Sequence, residues 1–161
     1  ITAMHSLKDE LIAHIAPGVD FVALHEKMHQ GLADILVAHG LYNGSAESAV
    51  EAGITRAFCP HGLGHSLGIQ VHDVAGLRQP DGTPSPAPNA HPALRLTRTL
   101  QPGMVVTIEP GLYFIPMLLA PLRNQSHPVN WTLVDQLAVC GGIRIEDNIL
   151  VTDSGSDNLT Q

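Results

Sequence analysis

The hydrophobic period of this chain changes once, near residue 53, and that change restricts the folds open to it. Before it the period is helical. Ile1, Met4, Leu7, Leu11 and Ile15 recur at helical spacing, and Pro17-Gly18 stops that helix. A start at Ser6, with Asp9 closing a capping box, is the weaker alternative, because Ile1 and Met4 continue the stripe. A second helix opens at Asp20 as N-cap, shows Phe21, Leu24, Met28, Leu32, Ile35 and Leu36 on one face, and ends at Gly40. A short helix over Ser45 to Ala52 is ended by Gly53. Beyond it the period is two. Ile69 to His72, Met104 to Glu109, Leu112 to Ile115 and Ile143 to Val151 are predicted strands. Loops are expected over Arg78 to Pro92 and over Pro116 to Asn130. No repeat or inter-domain linker interrupts the 161 residues. Helices first and strands after predict an α+β fold, an antiparallel sheet with helices on one face.

Composition narrows the partners. Net charge is −7 and the pI about 5.7, which argues against nucleic acid or an anionic membrane surface, since both need a basic patch. No apolar run approaches the roughly 20 residues of a membrane span. Cys59 and Cys140 are far apart and make no disulfide framework, so a reducing, cytoplasmic setting is expected. Ten histidines against eight Lys plus Arg hint at metal or proton chemistry.

Three clusters carry chemical groups. The first is His61-Gly62-Leu63-Gly64-His65, followed by His72-Asp73. Its two histidines are four apart, but the glycines oppose a helix and no Glu follows the first His, so a helical zinc-protease motif does not apply. A glycine-rich loop entering a strand fits better, with Gln70 and His72 on one strand face. The second cluster is Thr107-Ile108-Glu109-Pro110-Gly111, with Thr107 and Glu109 on one side of a strand. The third is Gly141-Gly142-Ile143-Arg144-Ile145-Glu146-Asp147, with Arg144 and Glu146 on one side. Singly, each has a plain explanation: a turn with surface histidines, an edge-strand glutamate, a cross-face ion pair of little energetic consequence. Together they offer one imidazole and two carboxylates, a donor set suited to Mn, Co, Zn or Fe(II). Three ligands are few for a site of two ions.

The motifs His61-Gly-Leu-Gly-His65, Val71-His72-Asp73, Gln101-Pro102-Gly103-Met104, Ile108-Glu109-Pro110-Gly111 and Gly142-Ile143-Arg144-Ile145-Glu146-Asp147 resemble those of the pita-bread metallopeptidases in order and spacing. That group includes proline dipeptidases, aminopeptidase P, creatinase and methionine aminopeptidase. Leu118-Leu119-Ala120-Pro121 resembles the bacterial Xaa-Pro dipeptidases most. The resemblance implies a pita-bread fold and hydrolysis of Xaa-Pro dipeptides by a water activated between two divalent ions, manganese foremost, with Co, Zn or Fe as alternatives. His65, Glu109 and Glu146 match metal ligands, Glu146 as the bridging carboxylate. Glu109 also matches the acid/base group. His61 and His72 match histidines that contact substrate. Arg144 matches an arginine oriented toward the site, and Arg95 the arginine that binds the dipeptide's terminal carboxylate.

The same resemblance implies two further Asp ligands on strands before the first helix. Asp9 and Asp20 are eleven apart, as such a pair would be, but one lies within a helix and the other at a cap. Residues 1–161 are therefore expected to be the C-terminal part of the catalytic domain, inactive alone, with the Asp pair upstream. The exposed sheet edge is expected to be covered by a second copy, a homodimer, or by a cleaved fragment. Two alternatives stand beside this reading. One is a catalytically dead module of the same fold that binds peptides or proteins. The other is a hydrolase of the aminopeptidase P or creatinase type.

Overall fold

The computed structural model describes residues 1–160. The amphipathic N-terminal stretch forms α1 (Thr2–Ala13), which buries Met4, Leu7 and Leu11, and with them Lys8. Helix α2 (Phe21–Ala38) starts where Asp20 accepts a hydrogen bond from the Val22 N–H at 2.9 Å, satisfying one of the unpaired donors of the first turn. Its buried face holds Phe21, Leu24, Met28, Leu32 and Leu36, and also His25 and His29. The two helices touch at Gly31, where an added Cβ would lie 2.3 Å from the Leu7 Cδ1 atom. A side chain at this position would have to push the Leu7 methyl aside. Ser45 caps the short α3 (Ala46–Glu51), and α4 (Ile54–Phe58) follows with Ile54 and Phe58 buried.

The strands are β1 (Ser66–Leu67), β2 (Val105–Ile108), β3 (Gly111–Tyr113), β4 (Gly142–Arg144), β5 (Asp147–Val151) and β6 (Ser156–Asn158). All pairings are antiparallel. One sheet has the order β1-β2-β5-β6, and β3 pairs with β4 in a second. The two sheets share one long ladder that is interrupted once. Ile108 faces Asp147 on one side of the break and Gly111 faces Arg144 on the other. Pro110 lies in the gap and has no N–H to give to a ladder. Glu109, Ile145 and Glu146 share that gap with it.

Several expectations need correction. Ile69 to His72 is not a strand. Asp73 N–H returns to Ser66 O at 3.0 Å, so the intervening residues loop outward, with Ile69 fully exposed and Gln70 and His72 no longer sharing a sheet face. Pro116 to Asn130 is not all loop. Helix α5 (Pro116–Arg123) begins there with Pro116 in its first turn, where no N–H partner is needed, and buries Leu119 and Leu122. Helix α6 (Trp131–Ala138), capped by Asn130, lies beyond the sequence reading, as does α4. Ile143 to Val151 is two strands rather than one. No helix among the described residues is long and apolar enough to cross a membrane.

Candidate metal centre

The site is built around the break in the ladder. After Gly62 the chain runs beside β2: Leu63 O accepts from Glu109 N–H at 2.8 Å, and His65 O accepts from Thr107 N–H at 2.9 Å. Gly64 faces β2 so closely that an added Cβ would stand 1.9 Å from the Thr107 carbonyl oxygen. The glycine therefore sets the depth at which His65 enters the site. His65 is buried, and its Nδ1 lies 3.1 Å from Ser66 O. A carbonyl there can only accept, so the proton resides on Nδ1 and the Nε2 lone pair is free. That lone pair points toward Glu109 Oε1, 3.5 Å away.

Glu109 is 7% exposed, and a buried carboxylate needs compensation. It has it. The Thr107 hydroxyl donates to Oε1 at 3.1 Å, and the Arg144 guanidinium donates to Oε2 at 3.2 Å. The same Thr107 oxygen accepts from His65 N–H at 2.9 Å, so one hydroxyl orients both groups. Arg144 thus pairs with Glu109 rather than with Glu146. Ligand atoms of His65, Glu109 and Glu146 all lie within 4.8 Å of one another. A ring nitrogen held by a carbonyl, beside two carboxylates, fits a divalent ion.

A cleft of about 290 Å³ opens on His65, Glu109 and Arg144, lined also by His61, His72 and Arg95. His72 packs edge-on against His65, with ring centroids 4.3 Å apart. Arg95 is exposed at the cleft. His61 is held at both nitrogens: Nδ1 donates to Gly62 O at 2.7 Å, so Nε2 accepts from the Tyr113 hydroxyl at 2.9 Å. Burial, against the help of the Arg144 charge, pushes the Tyr113 hydroxyl up to about 12, so it remains a donor. Tyr113 and the bridging role of Thr107 lie outside the sequence reading. Thr107 shares a strand face with Glu109, which was the one available signal; Tyr113 gave none, because its partner is 52 residues away. Asp9 and Asp20 are elsewhere, Asp9 in α1 within 3.1 Å of Lys8 and Asp20 as the cap of α2.

Comparisons with known proteins place the chain in a family. The profile of metallopeptidase family M24 matches residues 1–153. The Xaa-Pro dipeptidase of Marinobacter nauticus is 56% identical over all of this chain, and that of Stenotrophomonas maltophilia 48%. In both cases the chain spans 37% of the relative's length. Among solved structures, Pseudomonas aeruginosa aminopeptidase PepP superposes with a TM-score of 0.72 at 29% identity, covering 99% of this chain and 30% of that one. Zinc-substituted Escherichia coli aminopeptidase P in complex with product gives 0.71 at 30% identity, with the same coverage. The architecture is that of the pita-bread aminopeptidases, and with a family profile that runs along nearly its whole length, the chain belongs to metallopeptidase family M24.

Proposed function

We propose that this chain carries His65, Glu109 and Glu146 as three ligands of a two-ion site in an Xaa-Pro dipeptidase, and that further carboxylates outside these residues complete it. The convergence of one imidazole and two carboxylates at the ladder break is the observation that supports the reading most. Divalent ions bound there supply Lewis acidity and an acidified water. Glu146 would hold the ions together with His65 and Glu109. Glu109, oriented by Thr107 and Arg144, receives the proton of the attacking water and passes it to the leaving prolyl nitrogen. His72, at the mouth beside His65, donates to the oxyanion that develops. His61 contacts the substrate, its Nε2 exchanging the Tyr113 hydroxyl for a donor of the substrate. Arg95 binds the terminal carboxylate with its planar fork.

Two features favour a dipeptidase over the alternatives. Arg95 shares the cleft with the ligand set, where only a short substrate would place a carboxylate. The dipeptidase relatives are 48–56% identical, against 29–30% for the aminopeptidase P structures. A dead module would not be expected to keep every one of these groups. The discriminating experiment uses the full-length protein with Arg95→Ala. KM for an Xaa-Pro dipeptide should rise about tenfold or more, as for a lost charge-assisted pair, while a C-terminally amidated analogue should change little. Equal losses on both substrates would mean that Arg95 is structural.

A further inference from the structure

Three histidines lie together beside the cleft. His25 and His29 are one turn apart on α2, and His91 comes from the proline-rich loop that precedes Leu94. Ring centroids are 4.7 Å apart for His25 and His29, 4.4 Å for His25 and His91, and 5.2 Å for His29 and His91. His25 is 1% exposed and His29 2%. One nitrogen of each lies within 4.8 Å of the others, a spacing that invites a metal ion.

Two observations oppose that assignment. The Leu63 N–H donates to His25 Nδ1 at 3.2 Å. The lone pair of His25 is then on Nδ1 and its proton on Nε2, so Nε2 has nothing to offer an ion. His65 shows the opposite arrangement, a carbonyl behind the ring and a free Nε2 lone pair, which is what a metal ligand needs. Secondly, the Arg56 guanidinium lines the same pocket, so a dication there would sit in a like-signed field.

We propose instead that His25 is a positioning residue for the loop that presents His61 and His65: its neutral ring accepts the buried Leu63 N–H and fixes the peptide midway between them. This rests on reading the cleft as the metal site. The geometry is a clamp. Leu63 N–H is held by α2 through His25, and Leu63 O is held by β2 through Glu109 N–H at 2.8 Å. The Leu63 side chain is wholly buried between them. His61 lies two residues before this peptide and His65 two residues after. The clamp requires a neutral ring, because an imidazolium would set one N–H against another. Burial provides this, holding the His25 ring down to about 3, with His29 and His91 adding to the effect.

The test compares His25→Asn with His25→Phe. Asparagine keeps an acceptor near the Nδ1 position, while phenylalanine keeps the ring volume and loses the acceptor. In His25→Phe, amide exchange at Leu63 should quicken about tenfold or more, as for a buried donor left unpaired. In the full-length protein, kcat for Gly-Pro should fall with KM largely kept, and His25→Asn should restore most of both. Ring nitrogen-15 shifts of the unsubstituted chain should show the proton on His25 Nε2. Unchanged Leu63 protection in His25→Phe would overturn the proposal, as would a proton on Nδ1. So would Zn(II) binding that is lost in His25→Phe but kept in His65→Ala, since the three histidines would then be a metal site. If the parent protein does not cleave Gly-Pro, the dipeptidase reading fails, while the exchange and nitrogen-15 arms still decide the role of His25.

Discussion

At Glu109 one carboxylate is held by a hydroxyl and a guanidinium and faces the His65 ring nitrogen at 3.5 Å. Glu109→Gln keeps the shape and removes both the charge and the proton acceptor. In the full-length protein it should cut turnover of Gly-Pro by about 10²–10⁴-fold with the fold intact; near-normal turnover would refute the assignment. Thiol chemistry offers a check on burial. Cys59 is buried, and burial raises its thiol to about 11, whereas Cys140 is exposed. Mass spectrometry after native iodoacetamide treatment should find one alkylated cysteine, Cys140, and a second only after unfolding. The buried histidines predict an acid limit to stability. Burial is the main cause that lowers His25 to about 3 and His29 to about 4. Both rings take up protons near pH 6.5 once unfolded but not while folded, so stability is full above that pH and falls below it. Over pH 6.5 to 5 the loss should be of the order of 2–4 kcal/mol in urea unfolding, and His29→Leu should remove about half of that slope. A stability independent of pH over that range would contradict the burial of neutral rings. The candidate groups were visible in the motifs, His65 after Gly64, Glu109 before Pro110 and Glu146 in the run that follows Gly141-Gly142. Their supports were not, because Tyr113 and His25 act on residues 52 and 38 positions away.

The elements show where local pattern suffices and where it does not. The long helices were readable because burial on one face leaves a 3.6-residue stripe, and Asp20 and Ser45 announce their caps. Ile69 to Val71 misled because β-branched residues normally signal a strand, yet here the return of Asp73 to Ser66 throws them outward. Helix α5 was hidden by its two prolines, of which Pro116 is favourable in the first turn and Pro121 is tolerated near the end. The ladder break between β2 and β3 was not read as a break, since Ile143, Ile145, Ile149 and Val151 keep one parity across it. The join between α1 and the sheet is a buried ion pair, in which Lys8 bonds to Asp147 at the start of β5. Burial opposes the Lys8 charge, but hydrogen bonds to Asp147 and Asp9 outweigh it and raise the lysine above its ordinary value. This contribution is complete below about pH 10.5 and is lost as the pH rises through the higher folded value. Lys8→Met removes the cation of a buried pair and should cost about 3–5 kcal/mol by denaturant unfolding, although Asn158 still donates to Asp147. A loss below 1 kcal/mol would mean that the pair is not a structural joint.

On the scale of the whole molecule, an apolar hollow of about 610 Å³ lies between α1, α2, α6 and the β3–β4 pair, lined by residues such as Met4, Ile35, Leu112, Leu133 and Ile143. Its extent was not readable from periodicity, because its walls come from five elements. On the proposed function, His65, Glu109 and Glu146 form one metal site that needs further carboxylates. Two carboxylates neutralise half the charge of two divalent ions, so affinity should be weak until further carboxylates join. Calorimetric titration of the purified chain with Mn(II), in parallel with a Gly-Pro cleavage assay, tests this most directly. The account predicts weak binding that is abolished by His65→Ala, Glu109→Gln or Glu146→Gln, and no cleavage. Tight binding of two ions with full cleavage by this chain, or binding indifferent to those three residues, would contradict it.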